Sequence, residues 1–380
     1  MIIGKRLLAA GVVAALALAA CGDDDDDDAT SATTQAPAVP ATTAAAPGTT
    51  AAGGGGDGSA LTVGLTFDLL GRGDQSFNDS AAAGMDRAKA DFGVTVNELT
   101  PTDASARGTD LQLQAENADL VIGVGFSFAT DAKTIAVQNP DVKFAIVDDS
   151  MLNDTFDAPA APNAAGLVFS EEQGSYLVGV AAALKSTTGK IGFIGGVSGI
   201  GLIEKFEAGY IAGAKSVNPD IQVTSQYITK FPDFAGFESP DRAKEIATAM
   251  YSEGADIVYA AAGLSGSGMF QAAAETSKAT GTKVWGIGVD SDQYNTVDPA
   301  VQEYVLTSMI KRVDVAVYNI TEDVVNGTFE AGEHRYDLAA EGVGYATSGG
   351  FVDDIVDQLE AAKASIIDGS VVVPTDPTQA

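Results

Sequence analysis

The sequence predicts an α/β protein made of two similar lobes of mostly parallel sheet, with a ligand cleft between them. Three observations predict it. Short β-rich runs alternate with helix-like segments along most of the chain. The strand candidates are continuous apolar runs, as in Asp119-Leu-Val-Ile-Gly-Val-Gly125, which suits strands covered on both faces. The pattern also echoes itself, since residues 61–165 read as one α/β unit and 166–292 as another. Repeated strand–helix–strand units are right-handed, and ligands gather beyond the carboxyl ends of their strands.

Taken in order, the first unit has strands over 61–67, 94–99, 119–124 and 143–147, separated by helices over 80–92, 109–116 and 129–138. The second has strands over 166–169, 190–194, 221–229, 256–260 and 283–288, with helices over 173–184, 201–216, 241–252 and 268–278. A strand over 304–309 and helices over 312–326 and 351–367 complete the body. The expected lobes are 61–165 with 304–326, and 166–292 with about 333–347. The terminal helix 351–367 is expected to pack on the first lobe.

The N-terminus is of another kind. Lys5 and Arg6 precede an apolar run over 7–20, too short for the roughly 20 residues that span a bilayer and suited to a secretory signal. It ends in Leu18-Ala19-Ala20-Cys21-Gly22, which resembles a bacterial lipobox with Cys21 as the acylated thiol. Cys21 is the sole cysteine, so no disulfide supports the body. The six residues from Asp23 to Asp28, followed by almost only Ala, Thr, Pro, Gly and Ser up to residue 59, read as a disordered tether over 21–59. The expected location is extracytoplasmic, lipid-anchored to a bacterial cell membrane.

The whole chain carries a net charge of −31, and the body alone has 19 basic against 45 acidic side chains. Such a surface repels nucleic acid and anionic membranes and favours a neutral or weakly polar ligand over a free polyphosphate. About 320 residues of body can bury a large core.

The chemistry is concentrated at the strand ends. Thr66-Phe67-Asp68 closes the first strand and puts a carboxylate toward the cleft. In the loop that follows, Ser76, Asn78 and Asp79 are N-cap types, whereas Phe77 is either a core plug or a stacking surface. Phe126 and Phe128 follow the third strand, and Asp148 and Asp149 the fourth. Gly195-Gly196-Val197-Ser198-Gly199-Ile200-Gly201 departs from the order of a dinucleotide fingerprint and reads as a glycine turn, and an exported protein has no ready supply of NAD. Gly263, Gly266 and Gly268 let backbone amides approach a ligand at a helix N-terminus. Asp290 ends another strand; Asp292, two residues on, lacks the further ligands a metal needs. Lys311 would open a helix, against its dipole, and so wants solvent or an acidic partner.

Catalytic signatures are weak. His334 is the one histidine and falls in an apparent loop, no Ser-His-Asp or Cys-His arrangement stands out, and neither a cofactor nor a metal is expected. Any two strand-end carboxylates could serve a glycosidase. Carboxylates accept hydrogen bonds from vicinal hydroxyls and aromatic rings stack on flat rings, so the set suits a sugar joined to a flat base.

Asp74-Gln75-Ser76-Phe77-Asn78 resembles the D-x-S-F-N signature of the basic membrane protein family, the PnrA-like purine nucleoside receptors of ABC transporters. Segments 140–148, 173–179, 190–196, 206–210, 288–293 and 307–311 resemble the same family in the same order. The resemblance implies a type I periplasmic-binding fold, two Rossmann-like lobes joined by three crossovers that close like a hinge. It implies that Phe77 and Phe206 sandwich a base. Asp290 and Lys311 would bind ribose hydroxyls with help from Gly263, and Asp290 would be the partner Lys311 needs. Asp68, Asn78 and Asp148 would read base or sugar edges, while Phe126 to Phe128 line up less well. The implied function is capture of a nucleoside by a monomeric lipoprotein and delivery to an ABC permease. A receptor for a free sugar or other small polar solute, and an exported nucleoside or glycoside hydrolase, are the alternatives.

Overall fold

The computed structural model describes residues 56–380. The expected leader, Cys21 and the tether as far as residue 55 lie outside the described residues. Residues 56–59 already belong to the body. The Gly58 amide donates to the Phe92 carbonyl at 2.9 Å, and the Gly56 amide to Asn326 Oδ1 at 3.2 Å.

The chain runs β1 (Thr62–Thr66), α1 (Phe77–Phe92), β2 (Thr95–Leu99), α2 (Arg107–Ala115), β3 (Leu120–Gly123), α3 (Ala129–Gln138), β4 (Lys143–Val147) and β5 (Ala164–Phe169). It continues with α4 (Glu171–Lys185), β6 (Lys190–Ser198), α5 (Gly201–Val217), β7 (Gln222–Lys230), α6 (Pro240–Ser252), β8 (Ile257–Ala261), α7 (Gly266–Thr280) and β9 (Trp285–Asp290). Last come α8 (Pro299–Gln302), β10 (Val305–Lys311), α9 (Val313–Asn326), β11 (Gly332–Tyr336), β12 (Val343–Tyr345) and α10 (Val356–Ile367).

Two six-stranded sheets result, ordered β11-β5-β4-β3-β1-β2 and β12-β10-β9-β8-β6-β7. The orders correspond strand for strand, so the echo in the sequence is a repeated unit. Every pairing is parallel except β10 with β12. Buried apolar side chains cover both faces. The outer face of the first sheet carries Leu111, Phe128, Ile135 and Phe144, and that of the second Met250, Met269, Phe270 and Val305. The inner faces share one continuous core, in which Phe67, Met85, Leu177, Phe193, Tyr210 and Val317 meet.

The lobe limits need correction. The strand over 166–169 belongs to the first sheet, because β5 pairs with β4 from Phe144↔Ala164 to Val147↔Leu167. The strand over 304–309 belongs to the second sheet, beside β9, whereas the helix after it, α9, packs on α1. Residues 333–336 form β11 in the first sheet, and only β12 joins the second. The chain therefore crosses between lobes after β5, after β10 and after β11. The first two crossings each cut an apparent strand–helix unit in two, which a linear reading of apolar runs cannot register. The terminal helix also sits elsewhere: α10 packs on α4, Lys185 meets Asp354 at 2.7 Å and the Tyr345 hydroxyl donates to Glu360 at 2.7 Å, all on the second lobe.

Helices α4 and α5 approach closely because glycines face each other's backbone. A Cβ on Gly213 would stand 2.0 Å from the Tyr176 carbonyl oxygen, and one on Gly209 would stand 2.1 Å from that of Glu172. Backbone cannot give way as a side chain can. Gly213→Ala is expected to destabilise the protein by about 1–3 kcal/mol, the usual cost of overpacking. Urea unfolding measures it, and an unchanged midpoint would show that the helices can part freely.

Candidate ligand-binding site

The carboxyl ends of both sheets face one cleft of about 640 Å³, its open mouth included. Asp68, Phe77, Asn78, Asp148, Phe206, Gly263, Asp290 and Lys311 all border it. The fold thus brings together, from separate segments of the chain, every ligand-binding residue expected from the sequence.

The loop before α1 is organised by Asp74, which the sequence marked only as the first residue of the D-x-S-F-N signature. Asp74 is buried, and its carboxylate accepts the amides of Ser76 at 3.0 Å, Asn78 at 2.8 Å and Asp79 at 3.1 Å, plus Asn78 Nδ2 at 3.0 Å. These are the orphan donors of a helix N-terminus. Asp74 thus does the capping expected of Ser76, Asn78 or Asp79, and Ser76 makes no side-chain cap bond of its own. Burial raises the Asp74 pKa, and these donors oppose the rise. With its amide group fixed, Asn78 accepts the Asp68 amide at 3.1 Å. Asp68 Oδ1 in turn accepts Arg107 Nη2 at 2.9 Å, from a guanidinium buried at the start of α2.

Asp148 follows β4 and Asp290 ends β9, so the two occupy equivalent places in the two sheets. Both have a left-handed backbone, with φ of 70° and 64°. Asp tolerates that region better than most residues, and the turn aims each side chain into the cleft wall. Asp290 accepts the Ser76 hydroxyl at 2.5 Å across the lobes. Burial pushes the Asp290 carboxyl up to about 6, against the pull of Lys311 and Ser76. Burial likewise brings Asp148 to about 6, with Lys311 opposing and Glu171 adding to the rise.

Lys311 corrects two expectations. It ends β10 instead of opening a helix, and its partner is not Asp290. Its Nζ lies 2.6 Å from Asp148 and 3.2 Å from Glu171, and its side chain is 2% exposed. Burial works against the charge, but Asp148, Glu171 and Asp290 outweigh it and the Lys311 pKa is raised. Glu171, fully buried in the first turn of α4, also meets Lys205 at 3.1 Å. In sequence Glu171 reads as an ordinary acidic residue at a helix start, complementing the dipole. Only the crossover from β5 carries it to Lys311. The rings of Phe77, Phe169 and Phe206 surround the ammonium, at 5.2, 5.0 and 5.7 Å from their centroids.

Other expectations shift too. Gly195 and Gly196 lie within β6, where a Cβ would strike the rings of Tyr227 at 2.4 Å and Phe237 at 2.3 Å. These glycines make room for aromatic rings and do not form the expected turn. His334 lies in β11, not a loop, with Nε2 2.9 Å from the Glu330 carbonyl. Among the described residues no cluster of three or more His, Cys, Asp or Glu could hold a metal ion. No described helix is long and apolar enough to cross a membrane.

Two α/β lobes joined by three crossovers, with polar and aromatic residues from both converging on a cleft at the strand ends, define a solute-binding protein of the type I periplasmic-binding class. The particular kinship is equally plain. Residues 62–377 match the Bmp family, described as ABC transporter substrate-binding protein PnrA-like, and the chain belongs to it. It is 36% identical over 334 residues to the CD4+ T-cell-stimulating antigen of Listeria monocytogenes, covering 83% of this chain and 88% of that one. It is 36% identical over 330 residues to the ABC transporter nucleoside-binding protein BmpA of Lactococcus lactis subsp. cremoris, covering 83% and 89%. A crystal structure of an ABC transporter solute-binding protein from Aeropyrum pernix K1 superposes with a TM-score of 0.70 at 28% identity, over 83% of this chain and 94% of that one.

Proposed function

We propose that this chain is the receptor of an ABC importer that captures a nucleoside, in this reading a purine nucleoside, and hands it to a membrane permease. In this reading it is tethered through Cys21 outside a bacterial cell membrane and acts as a monomer without a cofactor. The observation that carries the reading is a pair of cleft rings, one from each lobe, set about a buried ammonium. Phe77 comes from α1 and Phe206 from α5, and both flank Lys311. A base stacking on such rings gains about 1–3 kcal/mol per ring.

The sugar falls to the charged residues. The Lys311 ammonium lies within ion-pair distance of Asp148 and Glu171 and, with three donors, keeps capacity for a ligand oxygen. Asp290, holding one Ser76 proton, keeps acceptor capacity for ribose hydroxyls. Asp68, oriented by Arg107, and Asn78 take donors on the base edge, and the left-handed Gly263, with φ of 54°, lets the backbone come close. Hinge closure brings the two sets together.

The same electrostatics argue against phosphorylated ligands. Lys311 is already matched by buried carboxylates, and Asp68, Asp74, Asp148 and Asp290 line the rest. Titration calorimetry with adenosine, guanosine, inosine, uridine and ribose, beside the nucleoside 5′-monophosphates, tests the reading. Nucleosides are expected to bind, with the monophosphates at least about 100-fold weaker, a cost of a few kcal/mol for an unpaired charge. Bound nucleoside should be recovered intact after long incubation. Silence toward every nucleoside would overturn the proposal, and ribose alone binding would favour a sugar receptor.

A further inference from the structure

One aromatic group is left unused by the ligand contacts just described. Phe126 follows β3 in the first lobe and borders the cleft. Its ring centroid lies 6.1 Å from that of Phe234, which belongs to the second lobe in the short turn after β7. Phe231 stands edge-on to Phe234 at 5.9 Å and is 53% exposed, at the outer lip. These rings bridge the lobes.

Their position matters. The three crossovers leave the sheets on the side of β5, β10, β11 and β12, whereas β7 is the opposite edge strand of the second sheet. A contact there lies away from the crossover side and so acts with leverage about the hinge. The turn that presents Phe234 is also firmly held. Ser265 Oγ donates to the Gly236 carbonyl at 2.8 Å, the Ser239 amide donates to Ser265 Oγ at 2.7 Å, and the Asp233 carboxylate accepts the Ala235 amide at 3.0 Å. A Cβ on Gly236 would stand 2.0 Å from the Gly196 carbonyl, so the turn is pressed against β6.

We propose that Phe126 and Phe234 form an aromatic latch at the cleft mouth, opposite the hinge, that holds the lobes closed and so sets how long a ligand stays bound. The residence-time consequence rests on the receptor reading above; the closure itself does not. The contact is desolvated only when the lobes meet, so opening must break it and expose both rings. Offset or tilted pairs at this spacing gain beyond their buried area. Opening precedes release, so loss of the latch raises the dissociation rate.

The test uses the full chain carrying Cys21→Ser, which removes the sole native thiol. Spin labels go on Gln138→Cys in α3 and Glu245→Cys in α6, on different lobes and away from the cleft. Pulsed electron resonance then reads the inter-lobe distance without ligand in the parent, Phe126→Ala, Phe234→Ala and the double variant. The open population is expected to rise about threefold to tenfold in each single variant. The double variant should add nothing, since either change already removes the contact. Phe234→Leu, which keeps apolar bulk, controls for misfolding and should lie between. Stopped-flow release of adenosine should quicken by the same factor.

Unchanged distances, additive effects, or release rates that ignore a shift in distance would each overturn the latch. A parent that binds no nucleoside would sink the receptor reading while the distance and additivity results still decide closure.

Discussion

Lys311→Met is expected to destabilise the protein by about 3–5 kcal/mol at neutral pH, the cost of leaving buried charge without its partner. The substitution nearly conserves volume and fits among Phe77, Phe169 and Phe206, so packing is not the issue. What is lost is the cation between Asp148 and Glu171, whose side chains are 5% and 0% exposed. Asp148 belongs to the first lobe and Lys311 to the second, so the change also loosens the lobes. The remedy available to the variant is protonation. Its Asp148, already at about 6 with Lys311 present, would take up a proton more readily without it. The penalty should therefore shrink on going from about pH 7.5 to about pH 5.5. Urea unfolding at both values checks this. A loss below about 1 kcal/mol at neutral pH would mean that the pair is not desolvated in solution.

Asp290→Asn is expected to move stability and binding in opposite directions. Burial is the main reason this carboxyl sits near 6 instead of 3.8. A carboxyl that binds its proton more tightly folded than unfolded favours folding below its unfolded pKa, and that contribution is lost as pH rises through about 6. At pH 7.5 the ionised Asp290 is therefore a burden on the unliganded fold. Asparagine removes the charge and can still accept the Ser76 proton. The variant should be more stable than the parent by about 1–2 kcal/mol at pH 7.5, because each tenfold change in proton affinity on folding is worth about 1.4 kcal/mol. The advantage should vanish near pH 4. Nucleoside affinity should fall by about 2–3 kcal/mol, since hydrogen bonds to a charged acceptor are the stronger kind. The parent should bind more weakly at about pH 5 than at about pH 7.5, because ligand hydroxyls need the ionised acceptor. Urea unfolding and titration calorimetry at these pH values read both effects, and a variant both less stable and equally tight would refute the assignment. The trade is the usual one between a site's function and its stability.

The sequence made the architecture legible because apolar runs and glycine turns are local signals. Strand ends could be located, and in a parallel sheet they all emerge on one side. That is why Asp68, Phe77, Asp148, Gly263 and Asp290 could be chosen before their meeting was visible, and why they border one cleft. The resemblance added Phe206 and the pairing of rings across the lobes. What stayed hidden depended on crossings. Arg107 and Glu171 have ordinary local explanations as helix-start residues, and their buried partners, Asp68 and Lys311, come from distant segments. The lobe membership of β5, β10 and α10 failed for the same reason, since chain order does not record which sheet receives a strand.

By itself, the sequence determined the α/β class, the doubled unit, the acidic body and the set of strand-end carboxylates and rings. Each follows from composition or from periodicity within about ten residues. Only the tertiary structure decided that Lys311 ends a strand and is held by Asp148 and Glu171, that Asp290 turns to Ser76, and that Phe126 meets Phe234 across the mouth. The physical reason is that pairing of buried charge and contact of rings are set by distance in space. In this chain those distances are created by three passages between lobes, which bring Ser76 against Asp290 from 214 positions away.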